Sequence, residues 1–375
     1  MKSKEKVKVL KVPLLGELIM SRSRTIIGVV LGLIAGGILI ALTGVNSFDA
    51  YASMLRGCFS SPQSFSNVLV RMSPLLLGGM GVALGIQAGV WNTGIEGYMY
   101  LGAIGAAVAG IPDLHLPIFL HIILVMAVAM LFAAAWGAIP GFLRAYMGVN
   151  EVTSTIMMNY IAIYFTTWVV TSVPAIAESG AFYPMSKIFQ TSAQLPILMS
   201  GTSLHPGPLI GLAVCILFHF ILKYTPFGFR TRMLGGNIHA AKYSGVDTKK
   251  QILMILILGA MIGGLSGAIE VSGLKRRVYM EFVTGVGYES VAVALLAGGN
   301  PIGVIASAFF FACLKVGGAT MSIETGVSSS MNSIIIALCV LFVIGAGFKD
   351  GSKLKKEKKV IIAKAGMSLE QKEGE

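Results

Sequence analysis

Charged residues are scarce in this sequence. They make up 12% of its 375 residues, whereas soluble domains average about 25%. Eight long windows contain no Asp, Glu, Lys or Arg, apart from Asp49 in the first: 26–55, 72–95, 114–143, 152–177, 188–222, 251–269, 290–314 and 325–348. A helix needs about 20 apolar residues to cross the hydrocarbon core, where no water satisfies the backbone. The sequence therefore predicts an all-α, polytopic membrane protein.

A segment long enough for a separate soluble domain is also missing. Once the apolar windows are placed, no remaining segment reaches the ~50 residues of a small domain. We therefore expect one transmembrane domain over 25–348, flanked by basic tails at 1–24 and 349–375.

Several chemical signatures are absent as well. The four cysteines show no paired spacing and three lie in apolar segments, so we expect neither a disulfide nor a metal site. The sequence contains no GxxxxGK[ST] phosphate loop and no HExxH motif. We therefore expect no cofactor and no nucleotide hydrolysis by this chain. Active transport would need a separate source of energy.

The net charge of +12 comes from three basic segments and not from a nucleic-acid-binding patch. These segments are the two tails and 223–250. By the positive-inside rule all three face the cytoplasm. Two tails on the same side require an even number of spans. We therefore expect a multi-pass protein of the cell membrane with both termini cytoplasmic and no nucleic-acid partner.

Ten spans satisfy this distribution of charge. They lie near 25–43, 70–89, 93–111, 117–143, 152–173, 206–224, 251–273, 286–299, 302–320 and 329–348. On this map 44–69 and 174–205 are long outer loops, and the second, rich in Pro, Ser and Gly, is a candidate for short or re-entrant helices. The largest inner loop is 225–250.

The two halves of the chain enter the membrane from opposite sides. Five predicted spans precede residue 180 and five follow it, which is the arrangement of a 5+5 inverted repeat. One span in each half is interrupted: the first is broken around 91–97, and the second is preceded by 285–289. Interrupted spans in both halves indicate a substrate pathway between them. Two ordinary hairpin turns are the alternative.

Several charged residues fall in or beside the predicted spans: Glu96, Glu270, Glu289 and Lys315. Charge inside a membrane is costly, so such residues usually face a cavity or a partner. The alternative is a hydrated position at a membrane end, which we favour for Glu270. The cluster 275–277 (Lys-Arg-Arg) is predicted outside, against the charge bias. Either the map is wrong there, or the cluster lines an outward cavity or meets an acidic partner.

One motif suggests a different class of protein. Residues 264–267 match the GxSG of rhomboid-type intramembrane serine proteases. That chemistry needs a histidine base near Ser266, and His121 and His219 both lie in spans. Ser266 also falls within a row of glycines at four-residue spacing, which lets membrane helices approach closely. Helix packing is the favoured interpretation of this serine.

The largest inner loop has the sequence pattern of a docking element. Pro226 and Gly228 are expected to break the preceding span. Asn237 can cap a short helix over 238–244, which Gly245 can end. A short helix between two breaks on the basic face would dock a cytoplasmic protein. A plain connecting loop is the alternative.

Four motifs occur in order between residues 70 and 345. They are NTGIEG at 92–97, GVNEV with TIMMNY at 148–160, FG-x-R-x-R-x-x-G-x-N-x-x-A-A-x-x-x-G at 227–245, and GYESVAVALL at 287–296. Together they resemble the permease subunits of ABC importers for branched-chain amino acids, ribose-type sugars and nucleosides, and the second is similar to the nucleoside and simple-sugar branch. Glu289-Ser290 and the basic cluster 275–277 depart from the family pattern, which leaves the substrate open.

This resemblance implies a transport subunit and not an enzyme. The chain would form half of a pathway for a small molecule, a nucleoside, within membrane lipid. Its partners would be a second and different permease, a cytoplasmic ABC ATPase and an extracellular substrate-binding protein. A simple-sugar importer, the protease and a membrane scaffold are the alternatives.

The resemblance and the interrupted spans also select two groups of residues. The expected substrate pathway contains Asn92, Glu96, Asn159, Arg277, Tyr288 and Glu289. The expected ATPase-coupling surface contains Phe227, Gly228, Arg230, Gly235, Asn237, Ala240, Ala241 and Gly245. The small side chains of Ala240 and Ala241 would permit close approach to a groove in the ATPase.

Overall fold

A computed structural model describes residues 14–343 and 345, with side chains described from residue 26 onward. This part of the chain forms thirteen α-helices. They are α1 Leu14–Leu42, α2 Ser47–Phe59, α3 Pro62–Gln87, α4 Ile95–Gly110, α5 Ile118–Met147, α6 Glu151–Ser172, α7 Gly207–Tyr224, α8 Pro226–Gly236, α9 Ile238–Tyr243, α10 Thr248–Ile269, α11 Val286–Leu296, α12 Pro301–Thr325 and α13 Ser329–Val343. A π-helical stretch, Glu270–Lys275, continues α10.

These helices confirm the predicted all-α, polytopic membrane protein. Each of the ten predicted spans overlaps a helix. Among the described residues, five helices are long and apolar enough to cross a membrane, namely α3, α5, α7, α10 with its π-helical end, and α12. A sixth is added if α1 and α2 count as one broken span, and α11 and α13 are apolar but shorter. The number of ten spans therefore stays a prediction.

Glycines bring the central helices together. A Cβ atom at Gly81 of α3 would lie 2.8 Å from the carbonyl oxygen of Gly259 in α10, and one at Gly259 would lie 3.0 Å from that of Gly81. A Cβ at Gly267 would overlap the backbone of Met99 in α4. Small residues at such positions allow close helix contact in lipid, where apolar burial does not drive association. The glycine spacing thus determines which helices form the core.

The contacts of α3 and α10 mirror each other. Helix α3 packs on α11 and α12, whereas α10 packs on α4 and α5. Helices α4 and α11 each follow an unwound segment, and α5 and α12 each end at a glycine with φ of 71°, Gly148 and Gly326. An inverted repeat requires such reciprocal contacts. The 5+5 arrangement remains a prediction, and this pattern supports it.

The chain divides into two compact units. One contains the described residues up to Ser47 together with those from Ser333, and the other is Phe48–Asn332. Within the first unit, glycines of α1 lie against the backbone of Cys339 and Val343. All of the candidate site residues belong to the second unit.

Two predicted loops contain helix. The expected outer loop 44–69 holds α2 and the start of α3, because Ser61 caps that helix and Pro62 occupies its first turn. Pro226 likewise begins α8 and does not lead into a loop, since the hydroxyl of Thr225 caps the new helix. Both differences arise from proline, which breaks a helix interior but fits a helix start.

The remaining loop predictions have mixed outcomes. Within 174–205 the helical structure is limited to one 3₁₀ turn, Thr191–Ala193, so the expected short or re-entrant helices are not found there. The side chains of the predicted basic tails, 1–24 and 349–375, lie outside the described residues.

Candidate functional site

Two unwound segments interrupt the helical core, and a single carboxylate joins them. One covers 88–94, between α3 and α4, and the other covers 276–285, before α11. Glu96 Oε1 accepts a hydrogen bond from the N–H of Gly285 at 2.7 Å, and Oε2 accepts one from Gly287 at 2.6 Å. The positive end of the α11 dipole also favours an anion at this place. Glu96 therefore connects two non-helical segments of the core, and the reading of these segments as interrupted spans of a substrate pathway stays a prediction.

The burial of Glu96 decides between its two interpretations. Its side chain is only 2% exposed, so it is not a hydrated residue at a membrane end. A Cβ at Gly287 would overlap the backbone of Glu96, so glycine is required for this approach of α11. In this structure the Glu96 carboxylate fixes the main chain at the start of α11, because both of its oxygens accept hydrogen bonds from main-chain N–H groups.

Asn159 of α6 extends this polar cluster. Its Oδ1 accepts from the N–H of Gly97 at 2.9 Å, and its Nδ2 donates to the carbonyl of Thr93 at 2.9 Å and to Tyr288 Oη at 3.5 Å. The hydroxyls of Thr93 and Thr155 lie 2.7 Å apart. Residues of three sequence motifs therefore meet in one hydrogen-bonded cluster at the junction of the unwound segments.

The GVNEV motif anchors the other end of the first unwound segment. Asn150 caps α6 by accepting from the N–H of Val152 at 2.9 Å. Glu151 pairs with Arg144 at 3.1 Å and accepts a hydrogen bond from the N–H of Trp91 at 3.4 Å. These residues position the backbone of the break.

Asn92 lies inside this break with one unsatisfied group. Its Oδ1 accepts from the N–H of Gly94 at 3.2 Å, but its buried Nδ2 has no hydrogen-bond partner among the described residues. The hydroxyl of Tyr98 is also buried without a partner in this part of the chain. Buried donors of this kind usually bind ordered water. The break is therefore a polar site within an otherwise apolar core.

Five charged side chains from four elements form a second site, which we name the charged face. Glu289 of α11 pairs with Lys315 of α12 at 2.6 Å, and Glu270 and Lys275 of the π-helical stretch lie 4.0 Å apart. Arg71 of α3 lies within electrostatic range of Glu270 and Lys275. Charged groups within spans face a cavity or a partner and avoid lipid. This face is therefore the best candidate for the lining of a pathway.

The charged face corrects two expectations. Glu270, favoured as a hydrated residue at a membrane end, is only 5% exposed. Arg71 was not among the expected site residues, because a span starting at residue 70 places it at the membrane end. The helix begins at Pro62, which places Arg71 in its third turn. The pair Ser61-Pro62 is a start signal that would have located it.

The basic cluster 275–277 is divided among three environments. Lys275 belongs to the charged face and donates to the carbonyl of Phe282. Arg276 is exposed, with a left-handed φ of 59°. Arg277 places Nη1 3.0 Å from the sulfur of Met185. Arg277 therefore has no contact with the Glu96 cluster, and its expected place in the pathway stays untested.

Helices α8 and α9 occupy the segment that we predict to dock a cytoplasmic protein, which we call the docking element. Asn237 caps α9, its Oδ1 accepting from the N–H of His239 at 2.9 Å and of Ala240 at 3.2 Å. Gly245 follows with a φ of 80°, a conformation that suits glycine. The predicted short helix between Asn237 and Gly245 is therefore confirmed.

Close contacts connect this element to the core helices. A Cβ at Gly235 would overlap the carbonyl oxygen of Gln87 in α3, and one at Gly228 would overlap the backbone of α7. Gln251 of α10 donates to the hydroxyl of Thr231 at 2.9 Å. Helix α8 is therefore in direct contact with α3 and α10, the two helices that precede the unwound segments.

The free surface of the docking element differs from the expected one. Phe227 is half-buried and Gly228 is buried, whereas several residues are exposed: Arg230, Gly235, Asn237, Ala240 and Gly245. Ala241 is fully buried, because α9 packs on α8 and α10. The prediction that Ala241 approaches a partner is therefore wrong. Two of these exposed residues, Arg230 and Gly245, line a cleft of about 650 Å³.

The GxSG motif lacks catalytic geometry. Ser266 is buried and donates to the carbonyl of Pro74 at 3.1 Å. His121 is hydrogen-bonded to Ser192 at 2.8 Å, and His219 packs on the ring of its neighbour in α7. Since a serine nucleophile needs a base within hydrogen-bond reach, the protease alternative is wrong and Ser266 serves helix packing.

Comparison with known proteins agrees with the four motifs. Residues 64–344 match the family described as branched-chain amino acid transport system, permease component. The guanosine ABC transporter permease protein NupP of Bacillus subtilis (strain 168) is 32% identical over 323 residues, covering 85% of this chain and 91% of that protein. The glucose ABC transporter permease protein TsgB13 of Haloferax volcanii is 30% identical over 333 residues, covering 86% and 87%.

Permeases named for nucleosides recur among the relatives. The nucleoside ABC transporter permease protein NupB of Lactococcus lactis subsp. cremoris is 27% identical over 326 residues, covering 85% of this chain and 89% of that protein. Second permeases of the same two organisms, NupQ and NupC, match at 24% and 26% identity. The chain belongs to the family of branched-chain amino acid transport system permease components, and it is a multi-pass transport subunit of an ABC transporter, not an enzyme.

Proposed function

We propose that this protein is the permease of an ATP-driven nucleoside importer and forms half of its translocation pathway. The charged face carries this proposal, because it holds two ion pairs among the apolar helices, and Tyr288, the residue before Glu289 in α11, is 41% exposed. A nucleoside offers a ring that can stack on such an aromatic side chain and hydroxyls that can bind the charged groups. NupP and NupB, named for guanosine and nucleosides, support the same substrate class.

A simple-sugar importer is the second candidate. The similarity to TsgB13, named for glucose, favours it. Sugar hydroxyls would also bind the ion pairs. A simple sugar, however, carries no base that could stack on the exposed ring of Tyr288.

Uptake measurements distinguish the two candidates. The complete importer is produced in cells that lack other nucleoside uptake, and labelled guanosine and glucose are supplied separately. We expect guanosine uptake that is lost when this chain is deleted. Uptake of glucose without guanosine would overturn the nucleoside proposal and establish the sugar alternative.

We propose that this chain works with three other proteins. The pairs NupP/NupQ and NupB/NupC support a second, different permease. A cytoplasmic ATPase would contact the exposed side of α8 and α9, since no GxxxxGK[ST] phosphate loop occurs in this sequence. An extracellular binding protein would deliver the substrate.

We further propose that both termini and the 225–250 segment are cytoplasmic, as the distribution of cations indicates. A cysteine at Ser244, which is exposed, should react with an impermeant maleimide only after cells are permeabilised. A cysteine at the exposed Ser179 should react in intact cells. The four native cysteines are buried or half-buried, which keeps the background low. Labelling at position 244 in intact cells would contradict this orientation.

A further inference from the structure

The charged face contains one cation more than it contains carboxylates. Its three cations and two carboxylates leave a formal charge of +1, because Glu289 and Glu270 each have one lysine. Arg71 is exposed and makes no hydrogen bond or ion pair with any described residue. Its planar guanidinium therefore presents up to five N–H donors to whatever occupies this face.

The neighbouring groups restrict the kind of ligand. Only Oε2 of Glu289 bonds Lys315, so Oε1 keeps its lone pairs, and the Glu289 side chain is 26% exposed. The carboxylate of Glu270 lies within electrostatic range of Arg71, and its charge disfavours an anion with several charges at this place. A neutral ligand with acceptors for the guanidinium and hydroxyls for the carboxylates suits these groups better.

We propose that Arg71 recognises the base of the transported nucleoside by donating two parallel hydrogen bonds to adjacent acceptors on a purine edge. This proposal rests on the nucleoside function proposed above and assigns a residue to its specificity. The guanidinium fork matches O6 and N7 of guanine or hypoxanthine. Adenine presents N7 beside an amino donor and accepts only one of the two bonds. The free oxygen of Glu289 accepts from the ribose hydroxyls.

The test compares guanosine and adenosine uptake at saturating concentrations in the complete importer. Arg71→Gln removes the charge, and Arg71→Lys keeps the charge but removes the fork. The control is Arg56→Gln, an exposed arginine of α2 outside the charged face. The binding protein is unchanged in every strain, so a change in the guanosine-to-adenosine ratio originates in the permease.

We expect both Arg71 variants to lose guanosine uptake about five- to hundredfold, as for loss of a bidentate base contact. Adenosine uptake should fall less, by about two- to tenfold, since these variants remove only one hydrogen bond from adenosine. The guanosine-to-adenosine ratio should therefore fall. The Arg56→Gln importer should keep the wild-type ratio.

Three other results would overturn the proposal. Equal loss of both nucleosides would show that Arg71 does not read the base. If the Arg71 variants no longer co-purified with the second permease, Arg71 would be shown to contact that subunit in the assembled importer. Unchanged guanosine uptake would show that it contacts nothing that limits transport. A wild-type importer without nucleoside uptake would instead refute the proposed function, and this inference with it.

Discussion

Replacement of Glu96 by glutamine should reduce uptake about tenfold or more while the subunits still assemble. The carboxylate accepts from the N–H groups of Gly285 and Gly287 with separate oxygens. An amide offers one acceptor oxygen, and its NH₂ group would face the second N–H. A buried donor left without an acceptor costs about 1–3 kcal/mol, which shifts an equilibrium about five- to 150-fold. The start of α11 should therefore leave its position beside α4.

The same strains provide the measurement and its control. Uptake and co-purification of the ATPase are measured together, so that a transport defect is separated from an assembly defect. Glu324→Gln makes the identical change at the exposed end of α12 and should retain full uptake. Glu96→Ala removes both acceptors and should lower the melting temperature further. Wild-type uptake by Glu96→Gln would show that the paired hydrogen bonds of Glu96 are not needed for transport.

The helical architecture could be predicted because a membrane restricts the backbone so strongly. Every segment predicted to cross must satisfy its own hydrogen bonds, and each overlaps a helix in the structure. The polar cluster was predictable for a related reason. A polar side chain in a span needs a partner, and Asn92, Glu96, Asn159 and Tyr288 all lie at or beside the unwound segments.

The direction of individual side chains could not be predicted. Soluble helices show their buried face by apolar periodicity, but spans that are apolar on every side do not. Ala240 and Ala241 are adjacent and identical, and only the packing of α9 on α8 and α10 determines that the second is buried. The role of Arg71 likewise depends on Lys275 and Glu270, about 200 residues later in the chain.

A substitution on α9, where we propose that the ATPase docks, should also have a large effect on uptake. Ala240 is exposed on α9, next to the buried Ala241. A tryptophan there should prevent docking of the ATPase, because overpacking a close contact typically costs about 1–3 kcal/mol, or about five- to 150-fold in affinity. We expect Ala240→Trp to abolish uptake and ATPase co-purification while the second permease and the binding protein still associate.

The position of the substitution decides what the experiment measures. Ala241→Trp would be uninformative, because that residue is buried within this chain and its enlargement would disturb α8 and α10 directly. Ala240→Ser is the matched control, since it adds one small polar atom at the same exposed place and should keep both activities. Gly235 of α8 lies against Gln87 of α3, and Thr231 of α8 accepts a hydrogen bond from Gln251 of α10, so the docking element is in direct contact with both helices. Normal ATPase association and uptake by Ala240→Trp would place the coupling contact elsewhere on the cytoplasmic side.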